Sequence, residues 1–326
     1  MTLQMKVRNS LLFILLSFII GSMGMARDFI EDYSLNVPPV AELKPQVLYD
    51  NQPFLPVQSN SPEAIQNLSH FLVGFAESKV TRWKQGRLWL QGPSVKQEYN
   101  LCSGELTANT TSNFFCSGIF VGPHHILTAA HCVEDMRCHE FVMVQEARGD
   151  SVKKGFSREQ VFTCRQYSLL RGYDLALVET VEKNTSAVTV LEPQQPAQPG
   201  EVILMLGHPL GLPLNWSQGR VQELSRETFL ARISAFEGNS GSPIFSGKTG
   251  DLIGVLVEGE EDFEQEDKSQ CQRIKRCPTG ACQGEVVSRL PKFLKRARHM
   301  PITELLAIPV VEKSLSLTTK TAISRP

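Results

Sequence analysis

The sequence has no surplus of charge of either sign: 33 Lys and Arg stand against 34 Asp and Glu, a formal net charge of −1. Without a basic field there is nothing to hold a phosphate backbone, so nucleic-acid partners are set aside. A run long enough to cross a bilayer is also missing at the N-terminus. The apolar stretch Leu11 to Ile20 reaches only about half of the roughly 20 residues a spanning helix needs. It follows Lys6 and Arg8 and precedes the small residues Gly21, Ser22, Gly24 and Ala26, the order of a cleaved export signal over residues 1–26. Paired CxxC knuckles are absent too, which weakens a zinc reading of the neighbours Cys132, Cys138 and His139. The eight cysteines, all beyond residue 26, read instead as disulfides of an exported chain.

What is present begins with a Pro-rich stretch over 27–65, carrying Pro38, Pro39, Pro45, Pro53, Pro56 and Pro62. It has little hydrophobic periodicity and reads as an extended leader or pro-segment. From about residue 66 to 298 the pattern changes to short β-branched and aromatic runs, such as Phe71–Phe75, Gly118–Val121, Leu175–Val178, Val202–Leu206 and Leu252–Val257. Many short strands without intervening helical patterns predict an all-β barrel or sandwich. Val286, Val287, Leu290, Phe293 and Leu294 fall at helical spacing and predict an amphipathic helix closing the domain, before a tail over 299–326. The acidic run Glu258 to Asp267, followed by Arg273 to Arg276, reads as an exposed loop of mixed charge. It lacks the ligand spacing of a calcium loop.

Three segments carry chemistry. Ile126–Cys132 is a strand ending in small residues that leave room around His131; Tyr173–Val178 sets Asp174 before a buried strand; Gly238–Pro243 is a tight turn offering Ser240. A hydroxyl nucleophile needs a base, a carboxylate to orient that base, and donors for the oxyanion. Taken singly these are a packed histidine, a turn aspartate and a loop. Together, in the order His, Asp, Ser, they are specific. That order also argues against an esterase of the α/β-hydrolase kind, in which Ser comes first within Gly-x-Ser-x-Gly.

Thr128-Ala-Ala-His131-Cys132 and Gly238-Asn-Ser240-Gly resemble the trypsin-like serine peptidases over roughly residues 68–296. The turn Gly-Asn-Ser-Gly-Ser-Pro is similar to that of bacterial glutamyl endopeptidases, and Leu206-Gly-His-Pro-Leu-Gly211 resembles the high-temperature-requirement proteases. The resemblance implies two six-stranded antiparallel β-barrels, with His131 and Asp174 on the first and Ser240 on the second. It implies Ser240 as nucleophile, His131 as general base, Asp174 as its orienting carboxylate, and the backbone N–H groups of Gly238 and Ser240 as the oxyanion hole. It also implies a Cys116–Cys132 disulfide; one local pair is expected among Cys271, Cys277 and Cys282.

Two departures from the digestive trypsins matter. Asn239 stands where those enzymes have an Asp that pairs with a freshly cut N-terminus, so that activation switch is not expected. The specificity pocket maps to Ser234–Phe236 and Leu256–Gly259, with Ser234, Leu256, Val257 and Glu258 as candidate lining. Neither the Asp that selects Lys or Arg nor the His that reads an acidic side chain is found at its position. An apolar or small substrate side chain is therefore expected. The sequence reads as a secreted serine endopeptidase, extracellular or periplasmic, acting on proteins or peptides as a monomer. It calls for no cofactor, no metal, no nucleic acid and no membrane beyond the signal. Two alternatives remain: a catalytically silent secreted binding protein on the same fold, and a zymogen held latent by 27–65. The sequons at Asn67, Asn109, Asn184 and Asn215 read as chance.

Overall fold

The computed structural model describes residues 54–105, 107–185, 197–266, 270–278 and 281–290. The expected export signal, most of the Pro-rich stretch, and the segment from 291 onward lie outside them. The described chain folds as two closed six-stranded antiparallel barrels. In the first, strands β2 (Leu72–Glu77), β5 (Cys116–Gly122), β6 (His125–Ala129), β7 (Phe141–Gln145), β8 (Val161–Leu170) and β9 (Leu175–Thr180) close in the order β2-β5-β6-β9-β8-β7. Among their large apolar residues, Phe75, Phe120, Ile126 and Phe141 are at most 1% exposed. Each such side chain contributes roughly 1.5–3 kcal/mol by leaving water.

The second barrel is built from β10 (Val202–Gly207), β11 (Asn215–Leu224), β12 (Thr228–Arg232), β13 (Pro243–Ser246), β14 (Leu252–Glu258) and β17 (Glu285–Arg289), closed by the β11–β12 pairing. Leu204, Leu206 and Trp216 of this barrel share one core cluster with Phe75 and Leu127 of the first. Strands at that junction are covered on both faces, which explains why β2, β5 and β14 read as continuous apolar runs rather than alternating ones. The last residues of the Pro-rich stretch belong to this body. The short strand β1 (Leu55–Pro56) pairs with β11, and Phe54 meets Phe236 edge to face at 5.5 Å.

Two expectations need correction. Val286 and Val287 lie not on a helix but on β17, paired with β12 and β14. Their β-branched side chains fill the barrel wall, and the pairing of the closing strand overrides an accidental helical spacing. Leu290 follows the strand outside any helix and packs against the main core, while Phe293 and Leu294 lie outside the described residues. The acidic run from Glu258 is likewise no free loop. It contains β15 (Phe263–Gln265), which pairs with β16 (Gln272–Ile274). The Cys102–Cys271 disulfide ties this hairpin to the long connection between β4 (Arg87–Leu90) and β5. The other bridges are Cys116–Cys132, Cys138–Cys164 and Cys277–Cys282. The first is the one the resemblance implies and the last is the expected local pair. Cys132 and Cys138 belong to different bridges, so the sulfurs weighed for zinc are committed elsewhere.

Candidate active site

Strand register brings His131 and Asp174 together. In the β6–β9 ladder Ala129 pairs with Leu175, so the residues just past the end of β6 meet the residue just before β9. The Ala130 N–H donates to the Asp174 carbonyl at 3.0 Å. Asp174 takes the left-handed conformation, φ 47°, which a short polar side chain tolerates better than most. Its two carboxylate oxygens divide their work. Oδ1 accepts the His131 backbone N–H at 3.2 Å, and Oδ2 lies 2.8 Å from His131 Nδ1. A carboxylate only accepts, so Nδ1 carries the proton and Nε2 keeps its lone pair. The hydrogen bond to Asp174 raises the imidazole pKa above its ordinary 6.5.

Ser240 arrives from the second barrel, on the turn between β12 and β13. Within the turn, Asn239 N–H donates to the Phe236 carbonyl and Ser242 N–H to the Asn239 carbonyl, each at 2.8 Å. The turn docks across the junction onto β5, where the Ser117 N–H donates to the Ser240 carbonyl at 2.8 Å and Ser117 Oγ donates to the Gly238 carbonyl at 2.8 Å. Gly241 has φ 84°, and a Cβ there would overlap the Ser117 carbonyl and Thr128 Oγ1, so only glycine permits this approach. The Ser240 carbonyl also lies 3.7 Å from Cys132 Sγ, in the bridge beside His131.

Among the described residues, the Gly238 and Ser240 N–H groups have no hydrogen-bond partner, so both remain available as donors. The Ser240 hydroxyl makes no hydrogen bond to His131. Such bonds are commonly long without substrate and tighten when it binds. Asn239 is 1% exposed, its Oδ1 accepting from Ser242 Oγ at 3.4 Å. The turn is backed by the tight turn Pro209–Gly211 and by His208. The ring of His208 is fully buried and packs 4.3 Å from the Phe114 ring, with Nδ1 donating to the Leu212 carbonyl at 2.9 Å. Burial pushes its pKa down to about 4, so it is neutral.

A cavity of about 480 Å³ opens beside the pair, lined by His131, Tyr173, Asp174, Val257, Glu258 and Val286 among others. Of the four candidate specificity residues, Val257 and Glu258 line it. Leu256 is turned into the second barrel's core with Met205 and Ile244, and Ser234 is 1% exposed with its carbonyl accepting from Ser217 Oγ at 3.1 Å. Glu285 is 3% exposed, and its carboxylate lies against Gly259, where a Cβ would overlap it. Sequence reasoning missed Glu285 because its strand was read as helix. It also missed Ser117, whose N–H and hydroxyl both hold the turn, and the role of Leu210, which lies within the Leu206–Gly211 segment but acts through its backbone N–H.

Comparison with known proteins gives one family match over the site and remote likenesses to solved structures. Residues 116–255 match the family description of a trypsin-like peptidase domain, and the match contains His131, Asp174 and Ser240. Among solved structures, an inactive-form Ser-to-Ala mutant from M. tuberculosis is 13% identical with a TM-score of 0.43, covering 78% of this chain and 98% of that one. The serine endoprotease from Yersinia pestis is 15% identical with a TM-score of 0.44, covering 77% and 68%. No curated protein matches the chain. Over residues 116–255, then, the chain carries a trypsin-like peptidase domain.

Proposed function

We propose that the protein is a secreted serine endopeptidase in which Ser240 attacks the substrate carbonyl, His131 takes its proton, and Asp174 holds the imidazole. The observation that carries this reading is the Asp174 carboxylate 2.8 Å from His131 Nδ1, facing a Ser240 turn with two donors unspent. His131 Nε2 then accepts the hydroxyl proton as the Oγ–C bond forms, and returns it to the leaving amine when the peptide C–N bond breaks. The Gly238 and Ser240 N–H groups receive the oxyanion, each worth about 3–4 kcal/mol of barrier. A water activated by the same imidazole hydrolyses the acyl-enzyme and frees Ser240. Substrates are proteins or peptides whose chain enters the cavity beside His131.

A fluorophosphonate probe tests this reading. Labelling of the wild type and its loss in Ser240→Ala are expected. A correctly folded wild type that stays unlabelled contradicts it.

A further inference from the structure

With an amide at position 239, the turn lacks a carboxylate next to Ser240 through which an ion pair could order it. The structure supplies a hold from outside. The Glu237–Gly238 peptide fixes where the Gly238 N–H points, because in a trans peptide the C=O and N–H face opposite ways. Its carbonyl accepts the Leu210 N–H at 2.6 Å, which turns the Gly238 N–H away from Leu210. The preceding amide is also held: the Glu237 N–H donates to Asp262 Oδ2 at 2.6 Å.

Asp262 is well placed to act as a brace. The Lys275 N–H donates to its carbonyl at 2.9 Å, and Phe263, the next residue, begins β15. Below the hairpin, Phe236 shares a core cluster with Leu210 and Ile274, with Phe263 and Tyr99 packed against it. Leu210, with φ 55° and no exposure, is a strained residue held by that packing.

We infer that Asp262 is a positioning residue for the oxyanion turn, gripping the Glu237 amide while Leu210 grips the next carbonyl, so that the Gly238 N–H stays aimed at the reacting carbonyl. The role rests on the peptidase reading, and it gives the β15–β16 hairpin a function. Burial pushes the Asp262 carboxyl up to about 7. The groups facing it are the Glu237 carboxylate, whose charge raises it further, the Glu237 N–H and the Lys275 ammonium, which lower it, and the Tyr99 phenol on the connection below. Glu98 faces Glu237 in turn.

The test uses the full chain with Asp262→Ala and Asp262→Asn, the second keeping an acceptor oxygen. Hydrogen exchange of the peptide spanning 234–242 should quicken in Asp262→Ala and be largely restored in Asp262→Asn. Fluorophosphonate labelling of Asp262→Ala should slow about tenfold or more. The pH profile of labelling should lose an inflection near pH 7 in Asp262→Asn. Exchange over 234–242 unchanged in Asp262→Ala, or a pH profile of Asp262→Asn superposable on the wild type, overturns the inference. A wild type that does not label sinks the peptidase reading instead, and the exchange measurement still decides the role of Asp262.

Discussion

Replacing Gly238 by alanine would separate the proposed oxyanion donor from the rest of the site. Gly238 has φ 89°, and a Cβ there would overlap the His208 carbonyl and sit 3.0 Å from the Gly211 nitrogen. Neither neighbour yields easily. His208 is fixed by its N–H bond to Ser117 Oγ at 3.0 Å, and Gly211 N–H bonds back to the His208 carbonyl at 3.0 Å. A left-handed backbone costs a non-glycine residue about 1–2 kcal/mol, and the overlap adds to it. The turn relieves both by rotating the Glu237–Gly238 peptide, which removes its N–H from the cleft. Losing one such donor costs about 2.7–4 kcal/mol of barrier, roughly 10²–10³ in kcat. His131, Asp174 and Ser240 are untouched, so KM should change little by comparison. Steady-state kinetics on a peptide substrate, with circular dichroism to verify folding, measures the effect. A folded Gly238→Ala protein with kcat within about threefold of wild type refutes the donor assignment.

Further outcomes follow from the same geometry. Asp174→Asn should lower kcat by about 10⁴, since an amide no longer fixes the Nδ1–H tautomer. Its pH–rate profile should turn at lower pH than the wild type's, because the Asp174 hydrogen bond is what raises the His131 pKa. The stability that His131 gains from Asp174 is present below pH 6.5 and lost as pH rises through the raised folded-state value; thermal melts of wild type and Asp174→Asn should converge at high pH. Asp262 has the same sign, because its folded pKa is also raised: the benefit exists below about 3.8 and is lost by about 7. Asp262→Asn should therefore be more stable than wild type at pH 8, by an amount on the order of a few kcal/mol. Opening the Cys102–Cys271 bridge, which closes a loop across 169 positions, by a double serine substitution should cost about 3–5 kcal/mol in denaturant unfolding.

How much could be read beforehand depended on whether information was local. The short strands, the segments around His131 and Asp174, and the Gly238–Pro243 turn are contiguous patterns, and each fell where its residues implied. The Cys277–Cys282 pair is local as well. Cys102–Cys271 is not, and six cysteines beyond one pair leave too many pairings for sequence to choose. Val286 and Val287 satisfied a helical spacing and a strand equally well; only the partners β12 and β14, far away in the chain, decide between them. Asp262 looked like one acid among many in Glu258–Asp267 because its distinction is a contact with the Glu237 amide. Glu285 was hidden for a related reason: its burial against Gly259 exists only once the second barrel closes.

The most direct test compares peptide hydrolysis by the wild type, Ser240→Ala, His131→Ala and the double variant, with product masses identifying the cleaved bond. If Ser240 and His131 work as one unit, each single substitution should lower kcat/KM by roughly 10⁴-fold or more and the double variant should be no worse than the singles. Cleavage by folded Ser240→Ala at the wild-type rate would contradict the account.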